Sequence, residues 1–548
     1  MPAQGNERTV IPLAGVKLTE LAQNPRVARL DRLESYFRGQ QDATKLYDWD
    51  GMMVGYGDSP VKPGISVPYA KRRPCGRYDL GKIVVRRLTS MLFGADRTPT
   101  LQVRGDVDGE DYVRVLAETA RLWVRMSEAR DLGGAMGTAC WSICYRKGKP
   151  RMEVHAARHV TVLEWGDGEE DDETGENKPV PLQVVLCYPY PKTVMVDDRL
   201  VERTYWYVRY WNTETEQVWP EVPGELAKTR SWSSSPLARR GWRETRHDYG
   251  FCPFVYLQNR PWAGQQDGES DYEGEEPNLD ELNQIKSATI RGVKANCDPT
   301  PVIHADPRTY NGQPIRKGSG QAIISQGGAS YLELSAGAAD AGLRVKEELR
   351  KDILDATGVI LADPADITGA AQSAQAMRIL YQPMLATCDI LREQYGQEGI
   401  IVTVRMFLRA GAVHVARGEE IILPPRVTTD EETKAVTVTE RVFPANALEL
   451  NVTLNWPPYF SPTYADIQAA TTAAQLANGG KAVASQRATV EFVATMYGVK
   501  DVDAELEAIE KEADAAAEKA LDMMAKQDAA AAPALEKKPA AEEERPKE

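Results

Sequence analysis

Along residues 374 to 391 the apolar side chains fall at Met377, Leu380, Tyr381, Met384, Leu385, Cys388 and Leu391. Steps of three and four place them on one face of a helix, which continues through IIVTVRMFLRAGAVHVARG to residue 418. Pro383 lies inside the run, and its missing N–H and its ring predict a kink. The approach to this helix, GVILADPADITGAAQS at 358–373, is instead a loop studded with acids and a proline. A small-residue loop therefore feeds a long, bent helix.

The same reading applied upstream predicts a helix over 18–40, with Leu30, Leu33 and Phe37 on one face and a stop at Gly39. A second is predicted over 79–94, ending at Gly94, and a third over 110–130, where Trp123 and Val124 extend an apolar face. GGAMGTACWSICYRKG, 133–148, reads as a tightly packed helix running into a strand. From 150 to 260 the pattern turns to strands rich in aromatic and β-branched residues, and GDGEEDDETGEN at 166–177 reads as a solvated hairpin loop. A polar joint, AGQQDGESDYEGEE, leads to a helix over 277–296 that opens at Pro277. A turn-rich stretch with short β runs follows at 297–334, then another helix over 341–358. Two helices carrying a β tip bury little core of their own, so neighbouring copies are expected to supply the missing surface. IILPPRVTT and ALELNVTLNW read as strands rejoining the earlier sheet. Helices capped at Ser461–Pro462 and at Ser485 follow, and the Ala, Lys, Glu and Pro tail beyond about 526 is expected to be disordered.

Composition narrows the chemistry. At 548 residues the chain is long enough for several domains. Its mean hydropathy is −0.44, and no unbroken apolar run reaches the roughly eighteen residues of a membrane span. MPAQGNERTVIPLAG has no apolar signal core. Seven scattered cysteines fit reduced thiols better than a disulfide framework. Cys140 and Cys144, one helical turn apart, read as a buried apolar pair rather than a metal site. A net charge of −14 opposes a protein that grips nucleic acid over its whole surface, though not one past which DNA slides. Tyr205, Tyr207 and Tyr210 with Arg203 and Arg209 have the composition of a base-stacking strand, and a half-buried strand explains them better. His155 and His159 read as structural. Neither an HExxH, a GxxxxGK[ST] loop nor a GxSxG elbow occurs, so no catalytic residue, metal site or cofactor is assigned.

Five phrases, in order, resemble the portal proteins of tailed bacteriophages. LESYFRGQQ resembles their Tyr-rich "YYRG" start; DLGKIVVRRLTSMLFGADRTP, a helix ending in "LFG"; and YGFCPFVYLQNRP, the strand before the stem. DITGAAQSAQAM resembles the entry to the long helix, although GAAQSAQA stands where the family usually has Ser-Gly followed closely by Ala. ANGGKAVASQRATVEFVATMYGVKDVDAELEAIEKE is similar to the terminal helix pair. The resemblance spans nearly the whole chain. It implies an α+β portal-type architecture: wing, 1–262; joint and first stem helix, 263–297; clip, 298–336; second stem helix, 337–357; tunnel loop, 358–373; long kinked helix, 374–417; wing strands, 418–458; crown, 459–516; and a disordered tail, 517–548.

The resemblance also implies a non-enzymatic ring, usually of twelve copies, at one capsid vertex of a virion assembled in the host cytoplasm. Double-stranded DNA would pass through it. The partners implied are a large terminase, a head-completion or adaptor protein, and the major capsid and scaffolding proteins, with no membrane. Lys286, Arg291 and Lys294 on one stem helix and Arg344, Lys346, Arg350 and Lys351 on the other are the basic candidates near the channel, with inter-subunit pairing as the competing role. Arg308, Tyr310, Arg316 and Lys317 are the candidates for docking terminase and connector proteins. Two other classes remain open: a head scaffold or head-completion protein without a channel, and a DNA-processing enzyme of a mobile element. Asp363 and Asp366, with no Lys or Arg from 358 to 375, make the expected tunnel loop anionic, and Gly369 gives it backbone freedom. Replacing both aspartates with lysine is expected to slow packaging in vitro with terminase and procapsids, most at low salt. Unchanged rates across a salt series, with rings still assembling, remove the loop from the DNA path.

Overall fold

The computed structural model describes residues 15–53, 67–94, 97–170, 177–196, 198–297, 300–303, 329–332, 336–361, 374–429, 436–460 and 464–478, with shorter pieces between 485 and 523. The fold is α+β. It divides into two compact units, one made of Met1–Leu361 with Gln382–Pro457, the other of Ala362–Tyr381 with Pro458–Glu548.

The first unit opens on α1 (Leu18–Ala22) and α2 (Pro25–Arg38), two helices where the sequence predicts one. Asn24 divides them: its side chain caps α2 by accepting from the Val27 N–H at 2.8 Å, and Pro25 takes the first position, where its missing donor costs nothing. Gly39 closes α2 at φ 66°. α3 (Leu80–Phe93) ends at Gly94, as its pattern predicts. The third expected helix is likewise two, α4 (Val107–Thr119) and α5 (Leu122–Met136), separated at Arg121, whose φ is 55°. The buried face of α5 runs through Leu122, Met126, Ala129, Arg130, Gly133 and Gly134, so Val124, at 67% exposure, lies off it.

β1 (Thr100–Val103) lies between α3 and α4. After α5 come β2 (Thr138–Arg146) and β3 (Lys149–Ala156), then β4 (Val160–Glu170), β5 (Asn177–Val196), β6 (Arg199–Trp211) and β7 (Thr215–Pro223). A short α6 (Gly224–Ala227), β8 (Arg243–Arg246) and β9 (Phe254–Gln258) complete the region. β4 through β8 form a five-stranded antiparallel meander, and a second sheet has the order β3-β2-β9. Cys140 and Cys144 are therefore on a strand, four residues apart on one face, not one helical turn apart. Between the sheets lies a core containing Leu30, Met136, Cys140, Val184, Trp211 and Phe254. A second cluster, with Leu18, Trp206, Trp219 and Trp232, is where α1 docks.

α7 (Glu276–Cys297) and α8 (Ala336–Thr357) flank the antiparallel pair β10 (Thr300–Ile303) and β11 (Ala329–Leu332). Gly358, at φ 67°, ends α8, and the Val359 N–H bonds back to Leu354 O at 3.0 Å. The long helix begins as α9 (Ala374–Leu380), breaks at Tyr381 beside Pro383, and resumes as α10 (Gln382–Glu393). It then passes through a π-helical stretch, Gln394–Ile401, into α11 (Val402–Ala416). Tyr381, Met384, Leu385, Cys388 and Leu391 are buried, whereas Leu380 is 48% exposed. Gln382–Ala416 is apolar enough on average, 1.4 on the hydropathy scale over its best window, to pass as a membrane span. The reading from unbroken apolar runs did not register this. Buried side chains make up 56% of that window, as expected for a core helix.

β12 (Arg426–Thr429) pairs with β13 (Val436–Thr439), and β14 (Val452–Asn455) pairs with β1. The late strands thus form two small sheets and do not rejoin the meander. In the second unit, α12 spans Tyr464–Asn478, and Ser485 caps a following turn by accepting from the Ala488 N–H at 3.2 Å. Ser461, Pro462 and the tail beyond 526 lie outside the described residues.

At the centre of the first unit Arg130 of α5 and Asp271 form a salt bridge at 3.0 Å with both side chains at 0% exposure. Asn259 donates to Asp271 Oδ1 at 3.1 Å and accepts from the Tyr395 hydroxyl at 3.0 Å, and the Arg130 guanidinium lies 5.5 Å from the Tyr395 ring centre. The small residues of GGAMG follow from this. A Cβ on Gly134 would overlap Arg130 Nη1 and Asp271 Oδ2, and one on Gly133 would overlap the Tyr395 hydroxyl. Replacing Asp271 with asparagine is expected to lower unfolding free energy in urea by about 3–5 kcal/mol, because it strands a buried guanidinium. Arg130→Met combined with Asp271→Leu should lose less than the two single changes summed; strict additivity would show that the pair is not coupled.

Candidate functional site

The helical hairpin of α7 and α8 carries all seven basic candidates. Its helices approach closely where Gly342 meets Thr289: a Cβ there would sit 2.6 Å from Thr289 Oγ1. The root of α7 is pinned to the 75–78 segment. Asn283 Oδ1 accepts from the Tyr78 N–H at 2.7 Å, and Ser287 Oγ accepts from the Gly76 N–H at 3.2 Å.

Four of the seven candidates are engaged within the chain. Lys286 donates to Arg77 O at 2.7 Å and lies over the Tyr78 ring, and Arg291 pairs with Asp50. Lys346 bonds Glu347 at 2.8 Å, and Arg350 reaches both Glu347, at 3.6 Å, and the Tyr78 hydroxyl, at 3.3 Å. The Lys346 bond holds the Glu347 carboxyl below its usual range. Glu347 and Lys351, four residues apart on α8, do not pair, since two nearer cations take the carboxylate. Lys294, Arg344 and Lys351 are exposed and make no ion pair among the described residues. The structure thus brings Arg344, Glu347 and Lys351 to one open face of α8 and turns Lys286 and Arg291 back toward the body. Arg308, Tyr310, Arg316 and Lys317, and the loop residues Asp363, Asp366 and Gly369, lie outside the described residues.

The aromatic strand does not present a base-stacking row. Arg209 is 3% exposed, pairs with Glu153 and Glu216, and packs 4.5 Å from the Trp211 ring centre, and Tyr210 is buried. Tyr205 and Tyr207 face Tyr190 and Tyr188 across the β5–β6 ladder. His155 stacks on Phe254, and its Nε2 is 2.9 Å from Ser142 Oγ. This Ser–His contact has the atoms of a nucleophile and its base, but Ser142 is 1% exposed and has no opening for a substrate. Cys75, Cys140, Cys144, Cys187, Cys252 and Cys388 are free thiols, and burial pushes that of Cys144 up to about 11. Among the described residues no group of three His, Cys, Asp or Glu side chains converges as a metal site.

A further arrangement went unread in the sequence. Arg26, Arg29 and Arg32, three apart on α2, pair with Asp267 at 2.7 Å, with Glu273 and with Glu276 at 2.6 Å. Burial opposes ionisation of Asp267, yet bonds from Arg26, Tyr256 and Thr138 keep its carboxyl below the usual range. From Asp267 onward, the segment expected to be a polar joint is therefore a largely buried strut that leads into α7. The signal was present as the match between the three-residue arginine spacing and the DGESDYEGEE acids.

No protein-family model matches this chain, and no curated protein matches it.

Burial depresses three histidines of the sheet region, His155 to about 3 and His159 and His247 each to about 4. The unfolded chain takes up these protons near pH 6.5 and the folded one does not. Stability is expected to fall as pH drops from about 6.5 toward 4, and His155→Gln should flatten that slope in chemical-denaturation series. An unchanged slope would show that His155 is not buried as a neutral ring.

Proposed function

We propose that the chain is the subunit of a portal-type ring, a channel through which double-stranded DNA enters and leaves a phage capsid. Terminase and head-completion proteins would dock at the 298–336 tip. The observation that carries this reading is the α7–β10–β11–α8 hairpin, rooted in the body and left open along its length. Val293, Leu343 and Val345 are 45, 46 and 43% exposed, so the hairpin lacks the apolar cover that a self-sufficient helix pair needs. Identical hairpins side by side around an axis supply that cover, and they would place Arg344 and Lys351 at or beside a central passage. The interrupted helix and its Gly-capped entry loop support the same reading. An acidic chain with a few rings of positive charge also suits a passage that DNA traverses without arrest.

Negative-stain images of the purified full chain are expected to show rings with a central hole. Leu343→Glu together with Val345→Glu should leave the subunit folded, by circular dichroism and thermal melting, while abolishing the rings. A monomer at all concentrations, or solid particles without a hole, would refute the channel.

A further inference from the structure

β7 and β8 are joined by an excursion, residues 224–242, that covers one face of the meander. Its inward side is apolar. Trp232 meets Trp219 of β7 edge to face at 5.4 Å, and Ala227, Trp232 and Ala238 are fully buried in one cluster with Val208 and Trp219. The Trp232 indole N–H donates to Val16 O at 3.1 Å, which ties the excursion to the segment ahead of α1. With its apolar residues turned to the sheet, the excursion leaves its charged ones outside. Lys228, Arg230, Arg239 and Arg240 are exposed and make no ion pair among the described residues. Arg239 is held in place, since its Nε donates to Ser233 O at 3.2 Å and its guanidinium lies 5.7 Å from the Trp242 ring centre.

No acid occurs from Leu226 to Arg243. Of the acids that border the excursion, Glu244 accepts from Gln217 at 2.8 Å and Glu20 pairs with Lys17 at 3.0 Å, which leaves Glu225. In a chain of net charge −14 this surface is a local reversal of sign. The rest of its outer side selects the partner. Leu237 is the one large apolar side chain exposed on it, and it shows no exposed aromatic ring, because Trp232 is buried and Trp242 half-buried. A protein interface centres on apolar or aromatic anchors, and a single-strand surface stacks bases on exposed rings. Cations without either complement a row of phosphates, whose binding is driven by release of counterions.

We propose that the outer surface of the 224–242 excursion holds the backbone of duplex DNA, with Lys228, Arg230, Arg239 and Arg240 on its phosphates. Such a contact positions the duplex and carries no base preference. Because the chain as a whole is acidic and repels phosphate, a local basic surface also decides where the duplex approaches. This is a second DNA contact, on elements other than the α7–α8 hairpin, and it rests on the channel reading only for the presence of DNA.

The test uses the full chain and a fluorescent duplex of about 30 base pairs, with anisotropy read from about 50 to 200 mM salt. Lys228→Gln, Arg230→Gln and Arg240→Gln are combined, since these three side chains make no hydrogen bond or ion pair among the described residues. Thermal melting of this variant should match the parent. Its affinity for the duplex should fall roughly tenfold or more, and the slope of log K against log salt should flatten by about 2.7, at about 0.9 per cation removed. Equal affinity and slope, or a parent that does not bind the duplex at low salt, overturns the contact. Unchanged DNA binding with weaker self-association in sedimentation assigns the cations to a second copy and overturns it likewise. Rings with a central hole in any of these cases leave the channel reading intact. Monomers or solid particles that lose DNA binding with the three cations remove the channel and keep the contact.

Discussion

The constraint on which most of this structure depends is a fully buried pair of opposite charges. Arg130 and Asp271 sit without solvent among Asn259, Tyr395, Gly133 and Gly134. Neither charge is tolerable there alone, so the helix, the joint and the long helix that supply the cluster must arrive together. Glycine in the middle of a helix normally costs stability. At 133 and 134 it makes the cluster geometrically possible. The arginine ladder of α2 extends the same logic outward, fixing the acidic joint from Asp267 to Glu276 and thereby the direction in which α7 leaves the body.

That arrangement separates fixed from free charge on the hairpin. Lys286, Arg291, Lys346 and Arg350 contribute to anchoring or to local pairing, and Arg344 and Lys351 stay with solvent. A cation already bonded within its own chain is a poor contact for any incoming anion, since its partner must first be displaced. The open face of α8, together with the uncovered Leu343 and Val345, is where an additional molecule gains most by binding.

Local pattern revealed the elements, and distant partners determined their roles. The apolar steps at Met384, Leu385, Cys388 and Leu391 predicted a packed helix because 3.6-residue periodicity is a property of neighbours in sequence. Gly94 and Pro277 marked ends for the same reason. The break at Asn24–Pro25 and the left-handed Arg121 were missed because an apolar repeat can continue across a short interruption. Burial of the acidic joint was missed because arginines 141 to 244 residues away make it favourable. β14 was placed in the wrong sheet for a similar reason, as its partner strand is chosen by tertiary packing rather than by its own residues. At the candidate site, the basic residues themselves were legible; which of them the body had already claimed was not.

The pairing of β1 with β14 joins Thr100 to Asn455 and Val103 to Val452. Roughly 350 residues separate these strands, so at a synthesis rate of about 5–20 residues per second the first waits some 20–70 s on the ribosome for its mate. Leu101 and Val103, buried in the finished protein, are exposed through that interval. The first unit is consequently completed only after nearly the whole chain has been made. Its nascent form therefore needs shielding until the last strands have been made.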